Sequence, residues 1–446
     1  MEDAILQPQL LSKEFIKPSR PTPETSRTLN LSLLDHFAPP VYVRIMFFYL
    51  NDSMDSPTGS VPNLQELKQS LAETLSYYYP FAGRIRADGC IECNNEGVEF
   101  FEALARCKLS DVLMEPRVEI MTHFCPVLGE DSLNGPVIDS LVLVQMTTFE
   151  CGGIAITACF SHKIADACSI VTFMNDWASM NREPGVVLSP QFSGASLFPL
   201  MSQKPISSKP MSADENCSTR RFVFDASKIE CLKTMAKSIS NTLHPTRFQV
   251  LSALIYKLIL SSSKSLGLQE LAIVNVIVNI RKSMRQPMSE CGIGNFALHN
   301  LIMVCEDEVE LHTLVDLMKE GMDEFMETFK EEDTVYERSA KICKCYDQLD
   351  QLPSSNQGNM VLFSSWCRFP FYEVDFGFGK PVWVSNLPSP TKNCIFFSDT
   401  AKGDGVEAWA TLEDQVMANF ERDQELLAFA VPNRSPLEIF GGLDNS

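Results

Sequence analysis

The sequence has no excess of basic residues and no apolar run long enough to cross a bilayer. Its 446 residues include 57 acidic and 37 basic ones, so the formal net charge is −20. Such a surface repels phosphate backbones and anionic membranes at long range. The longest apolar runs, such as residues 271–280, have about half the length of a membrane-spanning helix and are broken by Asn275 and Asn279. We therefore expect neither nucleic acid nor a membrane as a partner.

The sequence also shows neither the pattern of a secretory signal nor that of a disulfide framework. The acidic start Met1-Glu-Asp-Ala-Ile-Leu6 and the polar segment 19–27 lack a basic region followed by an apolar core. The chain has 15 cysteines, which we interpret as reduced thiols in a cytoplasmic protein. The pairs Cys90/Cys93 and Cys343/Cys345 have no second pair at zinc-ligand spacing, so we predict no metal site.

Two motifs of common enzyme classes are absent as well. The sequence has no Gly-x-Ser-x-Gly nucleophile elbow, which argues against a serine hydrolase that forms an acyl-enzyme. It has no Gly-x-x-x-x-Gly-Lys loop for phosphate binding. A cysteine nucleophile is left open, although no spacing favours one.

The length and the hydrophobic content of 45% suffice for two cores. Strand and helix patterns alternate in both halves, which predicts an α/β fold with two similar domains. The Pro- and Ser-rich stretch between them is the predicted linker. We place the N-terminal domain at residues 1–190, the linker at 191–218 and the C-terminal domain at 219–446.

Several elements are predicted by periodicity. A helix capped by Asn63 has Leu64, Leu67, Leu71, Leu75 and Tyr78 on one face and ends before Pro80. Two apolar runs between residues 137 and 160 flank Glu150-Cys-Gly-Gly153 and predict a β-hairpin. An acidic amphipathic helix is predicted over residues 311–329.

The second strand of this hairpin ends at His162, and Asp166 is placed to cap the helix that follows. A His-x-x-x-Asp spacing alone allows two interpretations. The first is a structural histidine at a strand end beside an aspartate cap. The second is a general base, because imidazole titrates near pH ~6.5 and accepts a hydroxyl proton at neutral pH.

A second notable string is Asp375-Phe-Gly-Phe-Gly379. The alternation of glycines and aromatic residues predicts a tight turn anchored by two packed rings, with a structural role.

Taken together, these motifs resemble the plant BAHD family of acyl-CoA-dependent acyltransferases, which carry His-x-x-x-Asp near mid-chain and Asp-Phe-Gly-Trp-Gly near the C-terminus. Further strings match in family order: Tyr79-Pro-Phe-Ala-Gly-Arg84, Val278-Asn-Ile-Arg281, Gly294-Asn295 and Gly405-Val-Glu-Ala-Trp409. The contexts of His162 and Trp366 are most similar to the branch of alkaloid and alcohol acetyltransferases that contains vinorine synthase. One departure is Phe378, which stands where the family has tryptophan.

The resemblance implies two chloramphenicol-acetyltransferase-like domains, each a mixed β-sheet with flanking helices, and a channel between them. It implies a monomer that uses acyl-CoA as co-substrate, with no permanently bound cofactor and no metal. His162 would be the catalytic base. Asp166 would pair with Arg281 across the domains, while Asp375, Gly377, Phe378 and Gly379 would form a structural loop.

By position, Ser364 and Trp366 are candidates for the oxyanion and acyl-group environment. CoA carries several negative charges, so a chain at −20 must supply local cations to bind it. The candidates for CoA binding are Arg247, Lys257, Lys282 and Arg285.

The predicted reaction is acetyl transfer from acetyl-CoA to a hydroxyl of a plant specialised metabolite, with an alkaloid as the first choice of acceptor. Alternatives are malonyl-CoA as the donor and a terpenoid or volatile alcohol as the acceptor. An alternative from another functional class is a catalytically silent paralogue that binds a ligand. Phe378, which stands where the family has tryptophan, leaves this alternative open.

Overall fold

Two large β-sheets with flanking helices form the framework of the protein. A computed structural model describes residues 7–51, 63–126, 140–200, 216–237, 239, 242, 244–268, 273–283, 292–305, 309–328, 333–352, 360–387 and 391–441. Within these residues, the first sheet has the strand order β1-β6-β7-β8-β3-β13 and the second the order β11-β10-β12-β14-β15-β9-β16. A small sheet has the order β2-β5-β4.

The strands are β1 Gln9–Ile16, β2 Thr28–Asn30, β3 Tyr42–Tyr49, β4 Arg84–Ile85, β5 Cys90–Glu92, β6 Val98–Ala105, β7 Val142–Phe149, β8 Ile154–Ser161, β9 Cys217–Phe224, β10 Ile273–Asn279, β11 Ala297–Met303, β12 Met360–Ser365, β13 Trp383–Leu387, β14 Cys394–Asp399, β15 Val406–Glu413 and β16 Ala430–Pro432. Strands β6 and β7 are parallel, as are β10, β12 and β14, whereas the other neighbours in the two large sheets are antiparallel. Both sheets are therefore mixed, which confirms the predicted fold class.

The helices are α1 Leu33–Phe37, α2 Leu64–Tyr77, α3 Leu109–Met114, α4 Val118–Thr122, α5 Ala167–Arg182, α6 Gly194–Leu197, α7 Ala226–Lys237, α8 Arg247–Ser265, α9 Leu311–Thr328, α10 Val335–Gln351, α11 Asp414–Phe420, α12 Gln424–Phe429 and α13 Pro436–Gly441. Helices α2 and α5 pack on the first sheet, and their apolar side chains share one core with it. Helices α7, α8 and α9 form a separate core with the second sheet.

Local sequence signals account for several of these elements. The Asn63 side chain accepts hydrogen bonds from the backbone N–H groups of Gln65 and Glu66 at 3.0 and 3.4 Å, which confirms the predicted cap of α2. Strands β7 and β8 form the predicted hairpin. The sequence analysis missed β11 and α10. The latter is capped by Thr334, and only two of its residues, Ser339 and Ile342, are buried.

One strand lies in the sheet of the other half of the chain. Strand β13 pairs with β3, with Asn386 opposite Ile45 and Trp383 opposite Phe48. It follows β12 and precedes β14, which both belong to the second sheet. The sequence analysis assigned all of residues 219–446 to one domain and did not foresee this exchange. Part of the predicted linker, residues 201–215, lies outside the described residues.

A buried ion pair connects the exchanged strand to the second sheet. Arg221 on β9 donates two hydrogen bonds of 2.7 Å to the carboxylate of Glu407 on β15, and both side chains are 1% exposed. The indole Nε1 of Trp383 donates to both oxygens of Glu407 at 3.2 Å. The Trp383 ring also stacks on Phe48, with ring centroids 5.3 Å apart. The two sheets are thus linked by polar and aromatic contacts.

Three further findings concern the described residues only. None of their helices has the length and apolar character to cross a membrane. Their cysteines are free thiols, and no three His, Cys, Asp or Glu side chains among them lie close enough together to hold a metal ion.

We predict that Arg221→Ala lowers the free energy of unfolding by about 3–5 kcal/mol, because it leaves the Glu407 carboxylate buried without a counter-charge. Urea denaturation provides the measurement. Arg220→Ala is the matched control, since the neighbouring Arg220 pairs with Glu421 at 3.5 Å and is 45% exposed; we expect it to cost less than about 1 kcal/mol. Equal effects of the two substitutions would contradict the prediction.

Candidate active site

His162 follows the last residue of β8 and remains tied to the sheet edge. Its backbone N–H donates to the carbonyl of Val41 at 2.8 Å, which continues the pairing of β8 with β3. The ring is partly exposed. The rigid strand therefore holds the imidazole at the edge of the sheet.

The orientation of the His162 ring is set by Asn295, which precedes β11. Nδ1 of His162 lies 3.0 Å from Oδ1 of Asn295. The Nδ2 group of Asn295 donates one hydrogen bond to the His162 carbonyl at 2.7 Å and another to Oδ1 of Asp35 at 2.8 Å. Because two acceptors hold Nδ2, the atom that faces the ring is the carbonyl oxygen of the amide.

Asp35 on α1 is the residue that fixes this amide. It is 5% exposed, and its Oδ1 also accepts the backbone N–H of Asn295 at 2.9 Å. Its Oδ2 accepts from the backbone N–H and the hydroxyl of Ser32 at 2.8 and 2.6 Å. Burial raises the pKa of Asp35, and the hydrogen bonds from Ser32 and Asn295 oppose that rise. Four donors and no acceptor contact these two oxygens, which suits the ionised carboxylate.

These contacts define the protonation state of His162. A carbonyl oxygen only accepts, so Nδ1 carries the proton and the lone pair is on Nε2. Burial among protein groups lowers the pKa of His162 and outweighs the opposing influences of Asp166 and Asn295. The ring is therefore neutral at physiological pH and has the form that a general base requires.

Asp166 is directed away from this histidine. Its Oδ1 accepts the backbone N–H of Ser169 at 2.9 Å and caps α5, and its Oδ2 accepts the backbone N–H of Phe296 at 3.0 Å. Arg281 binds both oxygens, with Nη1–Oδ2 and Nη2–Oδ1 distances of 2.7 and 2.9 Å. The structure thus brings Asp166 and Arg281 together, and it brings His162 to Asn295.

The guanidinium of Arg281 makes further contacts. Its Nη2 donates to the Ser169 hydroxyl at 2.9 Å and to the Gly292 carbonyl at 3.1 Å, and its carbon atom lies 4.6 Å from the centre of the Phe296 ring. Burial alone would raise the pKa of Asp166, but the charge and hydrogen bonds of Arg281 bring it below the usual aspartate value. The pair joins a helix of the first half to the segment before β11 in the second half.

The loop 375–379 is built around one carboxylate oxygen. Oδ1 of Asp375 accepts the backbone N–H groups of Gly377 and Gly379 at 2.7 and 3.0 Å. Both glycines have φ of +102°, a conformation that disfavours other residues. The Phe378 ring meets Tyr49 edge-on at 4.9 Å. Tyr49 lies seven residues along β3 from the partner of Ser161, so the loop is roughly 24 Å from His162.

This loop rests on the first half of the chain. Asn181 Nδ2 donates to the Phe376 carbonyl at 2.6 Å, and Arg182 donates to the Asp375 carbonyl. The Phe376 ring packs edge-on against Trp177 at 4.7 Å. These contacts are structural, and the Phe378 ring contributes to them by packing against Tyr49 and Phe376.

Ser364 and Trp366 lie at the end of β12 and just beyond it. Ser364 is 8% exposed. Trp366 donates its backbone N–H to the Phe397 carbonyl at 2.8 Å, and its partly exposed ring lies 5.7 Å from the ring of Phe371. Their roles at the oxyanion and acyl group stay predictions.

The predicted CoA-binding cations do not form one cluster. Arg247 pairs with Asp399 at 2.9 Å and Lys257 with Glu425 at 3.0 Å. They are ten residues apart on α8, which is about 15 Å along its axis. Lys282 is exposed, and Arg285 lies outside the described residues. Phosphate binding by Arg247 or Lys257 would compete with their carboxylate partners, so their CoA role stays a prediction.

Sequence reasoning missed His299, Asn275 and the roles of Asp35 and Asn295. Nδ1 of His299 on β11 is 3.0 Å from the amide Nδ2 of Asn275 on β10. Burial lowers the pKa of His299 to about 4, and the nearby His162 contributes to this shift. The Ser32-x-x-Asp35 spacing of a capping box was the only signal for Asp35, and a strand prediction over residues 297–303 would have been needed to find His299.

Comparison with known proteins gives a consistent assignment along the whole chain. The model of a family described as the transferase family matches residues 9–427. Akuammiline synthase 1 of Alstonia scholaris is 38% identical, with 95% of this chain and 97% of the relative covered. The 17,18-epoxy-17-hydroxycur-19-ene N-malonyltransferase of Strychnos nux-vomica is 36% identical, with coverage of 96% and 91%.

Stemmadenine O-acetyltransferase of Catharanthus roseus is 34% identical, with coverage of 94% of this chain and 97% of the relative. Among solved structures, vinorine synthase superposes with a TM-score of 0.82 at 31% identity, and the match covers 96% of this chain and 100% of that one. The similarity therefore extends over most of the chain.

We predict that Asp166→Asn lowers the free energy of unfolding by about 3–5 kcal/mol, because Arg281 stays buried without its counter-charge. The pKa of Asp166 is lowered in the folded protein, so its contribution is present above the usual aspartate pKa and is lost as the pH falls through the folded value. Denaturation from neutral to acidic pH should show this dependence in the wild type and not in Asp166→Asn.

The exposed residue Asp323, which pairs with Lys319 one helical turn away, gives the control Asp323→Asn. An unchanged melting temperature of Asp166→Asn together with lost activity would contradict the structural role and indicate a direct catalytic one.

Proposed function

Because the chain belongs to the BAHD family of acyl-CoA-dependent acyltransferases, as its motifs predict, we propose that it transfers an acetyl group from acetyl-CoA to a hydroxyl of an alkaloid, with His162 as the general base. The observation that carries the proposal is the neutral His162, held through Nδ1 by Asn295 with the lone pair on Nε2. The names of the Catharanthus and Strychnos relatives support an alkaloid-like acceptor, and the former supports acetyl transfer.

In this mechanism, Nε2 of His162 takes the proton of the acceptor hydroxyl while the oxygen attacks the thioester carbonyl. The new C–O bond gives a tetrahedral oxyanion. The C–S bond then breaks, and the proton on His162 passes to the sulfur of the departing CoA. The imidazolium that forms between these steps keeps its Nδ1–H bond to Asn295, so the ring does not need to reorient.

Asp35 supports this step without contacting the reacting atoms. Its carboxylate holds the amide of Asn295, which in turn accepts the Nδ1–H of His162. Ser364 and Trp366 are our candidates for the environment of the oxyanion and the acyl group. We also propose that the enzyme is a cytoplasmic monomer.

The donor is the less constrained part of the proposal. The Strychnos relative is named as a malonyltransferase, so malonyl-CoA is the second candidate donor. Incubation of the purified protein with acetyl-CoA or malonyl-CoA and a panel of hydroxylated alkaloids and alcohols, followed by mass detection of the products, distinguishes the two. Absence of product from every pair would favour a silent binding protein instead.

We predict that His162→Ala lowers kcat/KM for acyl transfer by about 10²–10⁴-fold, the usual contribution of a general base. The rate is measured as free CoA thiol released in the presence of the acceptor identified in the panel. The control is His312→Ala, a substitution on α9 remote from β8. Near-normal transfer by His162→Ala would show that His162 is not the base.

The pH dependence gives an independent check. A base works in its deprotonated form, and the pKa of His162 is lowered. We therefore expect kcat/KM to stay constant as the pH falls to the ordinary histidine value near ~6.5, and to decline only below it. Melting curves at each pH confirm that the enzyme is folded. A decline that begins above this value would contradict a lowered pKa of His162.

A further inference from the structure

The second sheet has a face that is turned away from α7, α8 and α9. On β10 and β11, every second residue packs into the core with these helices, as Val276, Val278 and Leu298 do. The residues between them point to the other side of the sheet. Five partly exposed side chains lie there together, which we call the β11 face: Ile277, Ala297, His299, Leu301 and Leu362. Four of the five are apolar, and the ring of His299 is the polar group among them.

The β11 face continues from the residue that orients His162. Asn295 precedes His299 by four residues, and alternate residues of an extended segment share a side. The Phe296 carbonyl accepts the backbone N–H of Ile280 at 2.9 Å, which prolongs the pairing of β10 with β11 to this point. Four residues of strand span about 13 Å. A fused-ring acceptor whose hydroxyl lies at His162 is therefore long enough to reach His299, and the influence of His162 on the pKa of His299 agrees with this proximity.

His299 is held by Asn275 through one ring nitrogen. Nδ2 of Asn275 lies 3.0 Å from Nδ1 of His299 and 3.3 Å from Sδ of Met360, whereas the amide oxygen lies 3.3 Å from Nδ1. The shorter contact and the second acceptor indicate that the two hydrogens of Nδ2 are donated to Nδ1 and to the sulfur. Burial lowers the pKa of His299 to about 4, so the ring is neutral at physiological pH and its proton is on Nε2.

This N–H group is available to a ligand. Within the described part of the chain, the hydrogen bonds of His299 all involve Nδ1. The Tyr346 ring meets the imidazole edge-on at 5.5 Å and stacks on Phe37 at 3.7 Å, so the ring of His299 is fixed by aromatic packing as well. A neutral N–H donor among apolar side chains suits an uncharged oxygen acceptor such as a carbonyl group.

We infer that His299 is a specificity-determining residue, whose Nε2–H donates a hydrogen bond to a carbonyl oxygen of the acceptor while the acceptor hydroxyl lies at His162 and its ring skeleton lies along the β11 face. The inference rests on the proposed function and adds a second polar group of the acceptor together with the residue that recognises it. Two hydrogen bonds, one at each end, then determine which hydroxyl of a rigid molecule meets the base.

Equilibrium binding in the absence of an acyl donor provides the test. The first probe is a trans-decalin hydroxy-ketone whose hydroxyl and carbonyl groups lie at opposite ends of the two fused rings. The second is the same trans-decalin alcohol without the carbonyl group. Both are uncharged, so the comparison isolates the carbonyl oxygen. Ligand-observed NMR titration measures even weak dissociation constants. We expect the wild type to bind the hydroxy-ketone about three- to tenfold more tightly, as one neutral hydrogen bond provides.

Two substitutions of His299 separate its hydrogen bond from its packing. His299→Leu removes the N–H donor, and the ratio of the two affinities should fall to about one. His299→Gln retains an N–H donor and should keep part of the preference. Met303→Leu is the matched control, because Met303 lies four residues further along β11 and is 58% exposed; it should leave the ratio unchanged. If melting curves show that His299→Leu is unfolded, His299→Phe, which keeps a ring at this position, replaces it.

Equal affinities of the two probes for the wild type, or no binding of either, would overturn the inference. A preference that survives both His299→Leu and His299→Phe would place the carbonyl group at another residue and would overturn it too. Failure of the proposed function has a different signature, because no acceptor would then be acylated while the preference and its dependence on His299 remained. The binding and transfer experiments therefore distinguish the two proposals.

Discussion

The ion pair between Asp166 and Arg281 also fixes the position of residues outside the pair. The segment that carries Asn295 is held on both sides by the same cluster. Gly294 donates its N–H to the Ser169 hydroxyl, and the backbone N–H of Phe296 binds Asp166 itself. The amide between these anchors orients His162. Asp166 therefore helps to orient His162 through residues 294–296, which precede β11, although its own carboxylate is bound to Arg281.

Buried carboxylates do this work in a chain whose net charge is −20. Each of two aspartates collects several N–H or O–H donors: Asp35 fixes an amide, and Asp166 binds a guanidinium and a helix end. Full hydrogen bonding makes their burial tolerable. The histidine between them stays neutral because burial has a larger effect on its pKa than the nearby charges have.

The exchange of β13 determines which residues lie at the junction of the two sheets. Because this strand pairs with β3 while β12 and β14 remain in the second sheet, the connecting segment crosses between the sheets and brings its aromatic residues to the junction. The Arg221–Glu407 pair and Trp383 hold the crossing in place. Asn386 on β13 and Ser398 on β14 consequently lie at this junction.

Local patterns in the sequence were sufficient for the family, the mixed α/β class, the β7–β8 hairpin and the cap of α2, because each depends on residues close together in the chain. The same holds for the position of His162 at a strand end and of Asp166 at a helix start. Only the tertiary structure decided the roles of Asn295, which contacts His162 from more than 120 residues away, and of Asp35, which holds the amide of Asn295. It also decided the placement of β13, since strand exchange depends on long-range packing that no local period encodes.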